Sequence, residues 1–156
     1  MPDPLTPDPD AAHRWVTLDR LDEGVYLARN ARGATLRFGS KADDAFSPVE
    51  LLLAAIAGCS AVDVDVVTGR RSPAETFGAR VDGFVTRDAT GNVLRDIRLT
   101  FDVTFPPGAE GDAAREILPR AVRTSHDRTC TVSRTIEAGT PVSVHINPAP
   151  AAINGE

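Results

Sequence analysis

The chain has 156 residues, of which 42% are hydrophobic and 25% are charged, and its formal net charge is -5 at pH 7. This length suits a single domain with its own core, and this composition is typical of a globular protein. Excess negative charge opposes binding to a phosphate backbone, so we expect no nucleic-acid partner.

The two ends of the chain, residues 1–12 and 148–156, are rich in Pro, Ala and small polar residues and are predicted to be flexible tails. Residues 13–147 are predicted to form one domain. The first dozen residues lack the basic start and apolar stretch of a signal peptide. The uncharged run from Leu51 to Val62 has 12 residues, fewer than the about 20 that a membrane span needs. We therefore expect a cytoplasmic protein without a membrane partner.

The domain opens with three short β-type runs, followed by a helix. The runs HRWVTLD, GVYLARN and ATLRF are separated by turn residues, which predicts an antiparallel meander. In the next segment, SPVELLLAAIAGCSAVDVDVV, Ser47 is placed as the N-cap, Pro48 as the first helical residue and Glu50 as the third, which forms a capping box. The helix is predicted to run from Pro48 to Thr68, with Gly69 as its stop.

The middle of this helix is apolar on every face, so protein must surround it. One small domain can hardly enclose such a helix, and we therefore expect a homodimer that wraps two of them together. Asp63 and Asp65 lie about 200° apart around the helix and do not face each other. Asp63 is expected to meet an Arg of the second subunit, and Asp65 to face water.

The rest of the chain predicts a hairpin, two helical segments and a last strand. The β-type runs FGARVDGFVTR and VLRDIRLTFDVTF flank the five-residue turn DATGN. An apolar stripe over residues 114–125 predicts a helix that Pro119 should kink or delay. A helix is predicted to resume at CTVSRTI, and Val142, Val144 and Ile146 to face inward in a final strand. This order of elements indicates the α+β class.

The chain contains two cysteines. Cys59 lies in the apolar helix, and Cys130 lies in the C-terminal part of the chain. Cytosolic cysteines are kept reduced, so these two are either small buried hydrophobes or redox groups. Burial would keep the Cys59 thiol protonated unless a cation or a hydrogen bond compensates. Cys130 is predicted near the start of a short helix whose amides would stabilise a thiolate, which leaves both a resolving and an attacking role open.

The segments around the two cysteines resemble the OsmC/Ohr family, in the branch of OsmC-like proteins. The shared features are P-x-E-L-L-L with a Cys eleven residues after the Pro, the small residues Ala57 and Gly58 before that Cys, and S-H-x-x-x-C-x-V-S around the second. The likeness extends from about His13 to Ile146. It implies an OsmC-like fold, with strongly curved antiparallel sheets around two central helices in an intertwined homodimer.

The resemblance also implies a thiol peroxidase for organic hydroperoxides that acts in oxidative-stress defence without a cofactor. Cys59 would be oxidised to a sulfenic acid, Cys130 would condense with it, and an external dithiol would reduce the resulting disulfide. One alternative is a weak or inactive relative that binds an apolar small molecule at the dimer interface. Another is a structural dimer with inert thiols.

The family's peroxidases activate the first Cys with an Arg from the N-terminal strands and a Glu directly after the helix-opening Pro. In this chain Val49 holds that Glu position, and Glu50 follows it. Glu50 lies nine residues before Cys59, on the opposite side of the helix, so helix capping is its favoured role, with a role as helper at the thiols as the alternative. Arg29, in the second predicted strand, is the candidate cation.

His126 precedes Cys130 by four residues, and on a continuous helix the two would share a face. A metal site needs a third and a fourth ligand, and neither a C-x-x-C motif nor a nearby third histidine supplies them. We therefore expect no metal. His126 is interpreted as capping a helix end, with a role as helper at the thiols as the alternative.

Overall fold

The structure is a computed structural model that describes residues 11–147, and most of the two predicted tails lies outside these residues. The elements in chain order are β1 (Val16–Asp22), β2 (Val25–Asn30), β3 (Thr35–Phe38), α1 (Pro48–Gly69), β4 (Thr76–Asp88), β5 (Gly91–Thr104), α2 (Ala109–Thr124), a π-helix (Ser125–Thr129) and α3 (Thr131–Glu137). This content confirms the α+β class.

The first three strands form an antiparallel sheet in the order β1-β2-β3, which confirms the predicted meander. The alternation of side chains along each strand places Tyr26 opposite Phe38, and their rings lie 6.0 Å apart. Within residues 11–147 the second sheet has two strands, β4 and β5. Neither described sheet is strongly curled, so the predicted strong curvature is absent from this part of the chain.

The turn between β4 and β5 is shorter than predicted. The strands continue to Asp88 and restart at Gly91, which leaves Ala89 and Thr90 as the loop. The Asp88 carboxylate accepts hydrogen bonds from the Thr90 backbone N–H at 2.8 Å and the Thr90 hydroxyl at 2.7 Å. Gly91 has a φ of 139°, a conformation that favours glycine. This local bonding closes the hairpin in two residues instead of five.

The helix α1 begins and ends where the sequence predicts, to within one residue. The Ser47 backbone N–H donates to Glu50 Oε2 at 2.7 Å, and the Glu50 N–H donates to Ser47 Oγ at 3.3 Å. These reciprocal bonds are the predicted capping box. These hydrogen bonds lower the pKa of Glu50. The bond to the Ser47 backbone N–H has the larger effect, and the bond to the Ser47 side chain has the smaller one.

The helical region after β5 is divided as predicted, but not at the proline. Pro119 lies inside α2 and does not delay its start at Ala109. The break comes at Cys130, whose backbone is extended between the π-helix and α3. The N–H of Cys130 donates to the Ser125 carbonyl at 2.8 Å, a bond that closes the π-helix. The prediction that CTVSRTI resumes a helix after a break is confirmed.

The predicted last strand is wrong. Residues 141–147 have no regular secondary structure, and Val142, Val144 and Ile146 are 86%, 84% and 93% exposed. Alternation of apolar and polar residues favours a strand only where a neighbouring strand takes up its hydrogen bonds. Within residues 11–147 no strand lies beside this segment, so the pattern alone does not order it.

The chain divides into two compact units. Within the described residues, the first unit comprises the chain up to Ala57 together with Arg80–Thr100, and the second comprises Gly58–Ala79 together with the chain from Phe101 onward. The buried hydrophobic side chains of the first unit are Val25, Phe38, Ala42 and Ile56. Those of the second unit are Val64, Phe105, Ala114, Ala121 and Cys130.

The surface of α1 is unusually apolar. The helix has 22 residues. Its most apolar 18-residue stretch has a mean hydropathy of 1.9, and only 22% of that stretch is buried. By length and composition alone it would pass as a membrane span, the one such helix among residues 11–147. Val62 and Val66 are 65% and 53% exposed. A large part of this helix therefore lacks the protein cover that its composition predicts.

Candidate active site

The second unit brings the two cysteines together. Cys59 lies on α1, and Cys130 lies at the N-cap of α3. The two side chains lie close enough for each thiol to shift the pKa of the other, and both thiols are free. Residues 71 positions apart in the sequence thus form one pair, as the redox hypothesis requires.

Cys130 lies in a buried site that favours its thiolate. Its side chain is 0% exposed, and burial raises its pKa. The Ser133 backbone N–H donates to Cys130 Sγ at 3.4 Å, and the Ser133 Oγ lies 3.3 Å from the same sulfur. Together with hydrogen bonds from the Ser60 hydroxyl and the Cys59 thiol, these contacts outweigh burial and lower the pKa of Cys130 from 9.0 to about 7.

Cys59 has the opposite balance. Burial raises the pKa of its thiol, while the backbone N–H groups of Val132 and Thr131 oppose that rise. The neighbouring Cys130 raises the pKa further, because two adjacent sulfurs do not both ionise easily. Cys59 is nevertheless the more exposed of the two residues. At neutral pH the pair therefore holds its negative charge mainly on Cys130 and its proton on Cys59.

The groups that stabilise this charge come from the start of α3. The N–H groups of Thr131 and Val132 act on the Cys59 sulfur, and that of Ser133 acts on the Cys130 sulfur, as the unpaired amides at a helix N-terminus do for an anion. A buried thiol ionises only where a cation or a hydrogen bond compensates for burial. The described contacts are hydrogen bonds, so the start of α3 supplies this compensation.

Sequence reasoning missed Ser60 and Ser133. A signal was present for Ser133, because it stands three residues after Cys130, where the backbone N–H bonds to an N-cap side chain. Ser60 follows Cys59 directly and is buried, but its contact with Cys130 depends on the packing of α1 against the start of α3. No local pattern predicts such a contact.

Asp63 takes part in a contact that was not predicted. Its Oδ2 atom accepts hydrogen bonds from the Ser125 hydroxyl at 2.8 Å and the Thr129 hydroxyl at 2.7 Å. The expected partner was an Arg of a second subunit, whereas this oxygen is used within the chain. Asp65 is exposed, as expected.

The other predicted helper residues have different surroundings. Glu50 forms the capping box with Ser47 in the first unit. Arg29 is exposed in β2, between Thr17 and Thr35 in the neighbouring strands, and also belongs to the first unit. Their roles in chemistry at the thiols remain predictions.

His126 joins the π-helix to the end of α3. Its Nδ1 lies 2.8 Å from Asp127 Oδ1, and its Nε2 lies 2.8 Å from Glu137 Oε1. The hydrogen bonds to Asp127 and then Glu137 raise the pKa of His126. The imidazole therefore links two carboxylates and does not cap a helix carbonyl, which corrects the sequence interpretation. Among residues 11–147, no three His, Cys, Asp or Glu side chains are grouped so as to hold a metal ion.

Replacing Ser133 with alanine is expected to raise the pKa of Cys130 by roughly one to two units, because a hydrogen bond to a charged group contributes about 1.5–3 kcal/mol. In the wild type, the thiolate absorbance should increase with pH and reach half of its maximum at about pH 7. Well below that pH it should decrease about tenfold for each pH unit. Ultraviolet titration of both proteins measures this difference. Ser143→Ala, at an exposed position, is the matched control, and an unchanged titration in Ser133→Ala would contradict the proposed stabilisation.

Comparison with protein families gives a consistent picture. Residues 40–145 match the model of the family described as OsmC-like protein. An uncharacterized protein of Mycobacterium tuberculosis (strain ATCC 25618 / H37Rv) is 31% identical over 134 residues, which cover 85% of this chain and 93% of that protein. A Mycobacterium bovis relative, also uncharacterized, matches with the same values.

Solved structures show the same fold. A hypothetical protein from Aquifex aeolicus VF5 has a TM-score of 0.66 at 21% identity, over 83% of this chain and 91% of that chain. An OsmC-like protein of unknown function from Vibrio cholerae has a TM-score of 0.68 at 11% identity, over 81% of this chain and 95% of that chain. At these identities the likeness concerns the fold, and the chemistry has to be argued from the thiol pair.

Proposed function

The chain belongs to the OsmC-like protein family, and from that premise we propose that it is a thiol-dependent peroxidase that reduces organic hydroperoxides. Cys59 and Cys130 would form a sulfenic acid and then a disulfide in each cycle. An external dithiol would restore them, in oxidative-stress defence in the cytoplasm. No cofactor takes part in this scheme.

The observation that carries the proposal is the paired, reduced thiols at the start of α3. The pKa of Cys130 is lowered to about 7, so about half of the molecules carry a thiolate at neutral pH. Inert buried cysteines ordinarily have a raised pKa and no anion-stabilising contacts. Two sulfurs in contact are also the arrangement in which one sulfur captures the oxidised form of the other.

The proposed attack begins at Cys59, because it is the more exposed of the two cysteine residues. The Cys130 thiolate accepts the proton of the Cys59 thiol, and the N–H groups of Val132 and Thr131 stabilise the new Cys59 thiolate. This thiolate attacks the terminal oxygen of the hydroperoxide. An S–O bond forms and the O–O bond breaks, giving Cys59 sulfenic acid and an alkoxide that takes up a proton to leave as the alcohol.

The second step closes the disulfide. Cys130, in its thiolate form, attacks the sulfur of the Cys59 sulfenic acid, an S–S bond forms, and the oxygen leaves as water after protonation. An external dithiol then reduces the disulfide by exchange and becomes a disulfide itself. Each cycle thus consumes one hydroperoxide and one dithiol and yields one alcohol and one water.

The proposed substrate has an apolar organic group. Cys59 lies in the apolar stretch of α1, whose hydrocarbon side chains would favour a hydroperoxide with an apolar group over a small polar one. The alternative, an inactive relative that binds an apolar molecule, rests on the same surface. Turnover distinguishes the two proposals.

The test is consumption of cumene hydroperoxide with dithiothreitol as the reductant. We expect catalytic consumption, with formation of one Cys59–Cys130 disulfide per subunit when the reductant is omitted. Intact mass reports the disulfide as a loss of two hydrogens. Absence of consumption together with binding of a fluorescent apolar probe would favour the non-enzymatic alternative and overturn the peroxidase proposal.

We also propose that the protein is a homodimer in which α1 is covered by a second copy of the chain. The support is the exposed apolar surface of α1, including Val62 and Val66. Contiguous apolar surface of this kind marks interaction sites in soluble proteins. A second α1 offers a surface of the same composition.

Replacing Val62 with glutamate is expected to weaken the dimer by at least about a hundredfold in dissociation constant, because an unpaired carboxylate in an apolar interface costs several kcal/mol. Sedimentation velocity over a concentration range measures the effect. Arg120→Glu, which introduces the same side chain at an exposed position of α2, is the control. A monomeric wild type, or a Val62→Glu variant that dimerises as well as the wild type, would overturn the proposal.

A further inference from the structure

We propose that Asp63 is a positioning residue that holds the π-helix against α1 and thereby keeps Cys130 in reach of Cys59. Its catalytic consequence rests on the proposed function, since it concerns the same thiol pair. The positioning itself is a property of the folded chain and is measurable without a peroxide.

The first observation is the place of Asp63 on α1. It follows Cys59 by four residues, and residues four apart lie on the same face of a helix, one turn from each other. The face of α1 that presents the Cys59 sulfur to Cys130 therefore also presents the Asp63 carboxylate to the segment that precedes Cys130.

The second observation is that a single oxygen of Asp63 bonds to both ends of the π-helix. Oδ2 accepts the Ser125 hydroxyl at 2.8 Å and the Thr129 hydroxyl at 2.7 Å, and these are the first and last residues of that element. Hydrogen bonds to an ionised acceptor are roughly twice as strong as neutral ones. The carboxylate thus ties both ends of the five-residue π-helix to α1.

The third observation links this tie to the sulfur. Ser125 is buried, and its carbonyl accepts the N–H of Cys130 at 2.8 Å. Thr129 is the residue directly before Cys130. Asp63 is therefore connected to Cys130 in two ways. One runs through Ser125, whose carbonyl accepts the Cys130 N–H, and the other runs through Thr129, which is covalently joined to Cys130.

Asp63 acts through these residues and does not touch the sulfurs. Within the described chain, the groups that act on the two sulfurs are the hydroxyl of Ser60, the start of α3 and the other sulfur. A direct role as proton acceptor for a thiol has no contact to support it. The role left for Asp63 is to position Cys130 relative to Cys59. A misplacement of about 1 Å between reacting groups can reduce the rate about a hundredfold.

The test is the equilibrium between the thiol pair and a dithiothreitol redox buffer, read as the mass loss of two hydrogens. Asp63→Leu removes the acceptor of both hydrogen bonds while keeping the branched shape of the side chain, and is expected to disfavour the Cys59–Cys130 disulfide by about 10- to 100-fold, because the sulfurs lose part of their effective concentration. Asp63→Asn is expected to stay within about threefold of the wild type, because one amide oxygen can accept both hydroxyls. Asp65→Leu, at the exposed Asp of the same helix, is the control and should change nothing.

A second pair of variants tests the donor side if Asp63→Leu does not fold. Thr129→Val removes one hydroxyl and should disfavour the disulfide by about 3- to 10-fold, while Thr124→Val, at the exposed end of α2, should not. A folded Asp63→Leu or Thr129→Val with a wild-type disulfide equilibrium overturns the inference. A wild type that forms the disulfide in this buffer but does not consume cumene hydroperoxide overturns the proposed function and leaves the role of Asp63 intact.

Discussion

Replacing Cys59 with serine is expected to reduce the consumption of cumene hydroperoxide by at least about a thousandfold, to the background of the dithiol alone. A serine hydroxyl has the size to occupy the site but does not ionise near neutral pH, and the thiolate is the form that attacks peroxide oxygen. The N–H groups at the start of α3 therefore have no thiolate at position 59 to stabilise in this variant. Steady-state loss of peroxide at fixed dithiothreitol measures the effect.

The control for this variant is Asp65→Asn, which changes an exposed side chain on the same helix and should retain the wild-type rate. A Cys59→Ser protein that remains folded and consumes peroxide at a wild-type rate would exclude Cys59 as the attacking group. That outcome would still allow an attack by Cys130, which the second prediction addresses.

Replacing Cys130 with serine is expected to convert the catalyst into a reagent that reacts once. Cys59 keeps the N–H groups of Val132 and Thr131, so it can still be oxidised by one equivalent of hydroperoxide. No second sulfur is then present to displace the oxygen, and the sulfenic acid should persist. Intact mass should show the addition of one oxygen atom, dimedone should trap it, and turnover with a limiting dithiol should fall by about a hundredfold.

The two cysteine variants together decide the order of attack. If Cys59→Ser accumulates a sulfenic acid on Cys130 while Cys130→Ser stays unoxidised, Cys130 is the attacking sulfur and the proposed order is reversed. Its lowered pKa favours that order, whereas its burial opposes it. We expect burial to decide, because a thiolate that a peroxide does not reach cannot react with it.

Much of the fold was predictable because its signals are local. The start of α1 depends on Ser47 and Glu50, which bond to each other across three residues. The break before α3 was predictable for the same reason, since the start of a helix is set by its N-cap and first turn. Patterns that need a distant partner were less reliable. The alternation at Val142, Val144 and Ile146 predicted a strand, but no neighbouring strand in the described chain accepts its hydrogen bonds.

The candidate site was predictable only in part. The two cysteines and the family were recognised from their flanking motifs, and the anion-stabilising start of α3 was expected for Cys130. The action of Val132 and Thr131 on Cys59 was not, because it joins α1 to α3. The partner of Asp63 was assigned to another subunit, while its hydroxyl donors lie 62 and 66 residues away in the same chain.

The sequence by itself therefore determined the ends of α1, the two strands of the hairpin, the α+β class, the family and the identity of the two thiols, because each depends on residues close together in the chain or on a motif. Only the tertiary structure decided which sulfur carries the charge and what holds the pair together. Both depend on hydrogen bonds between α1 and the segment around Cys130, and the strength of such bonds is set by distance and burial in the folded chain rather than by position along it.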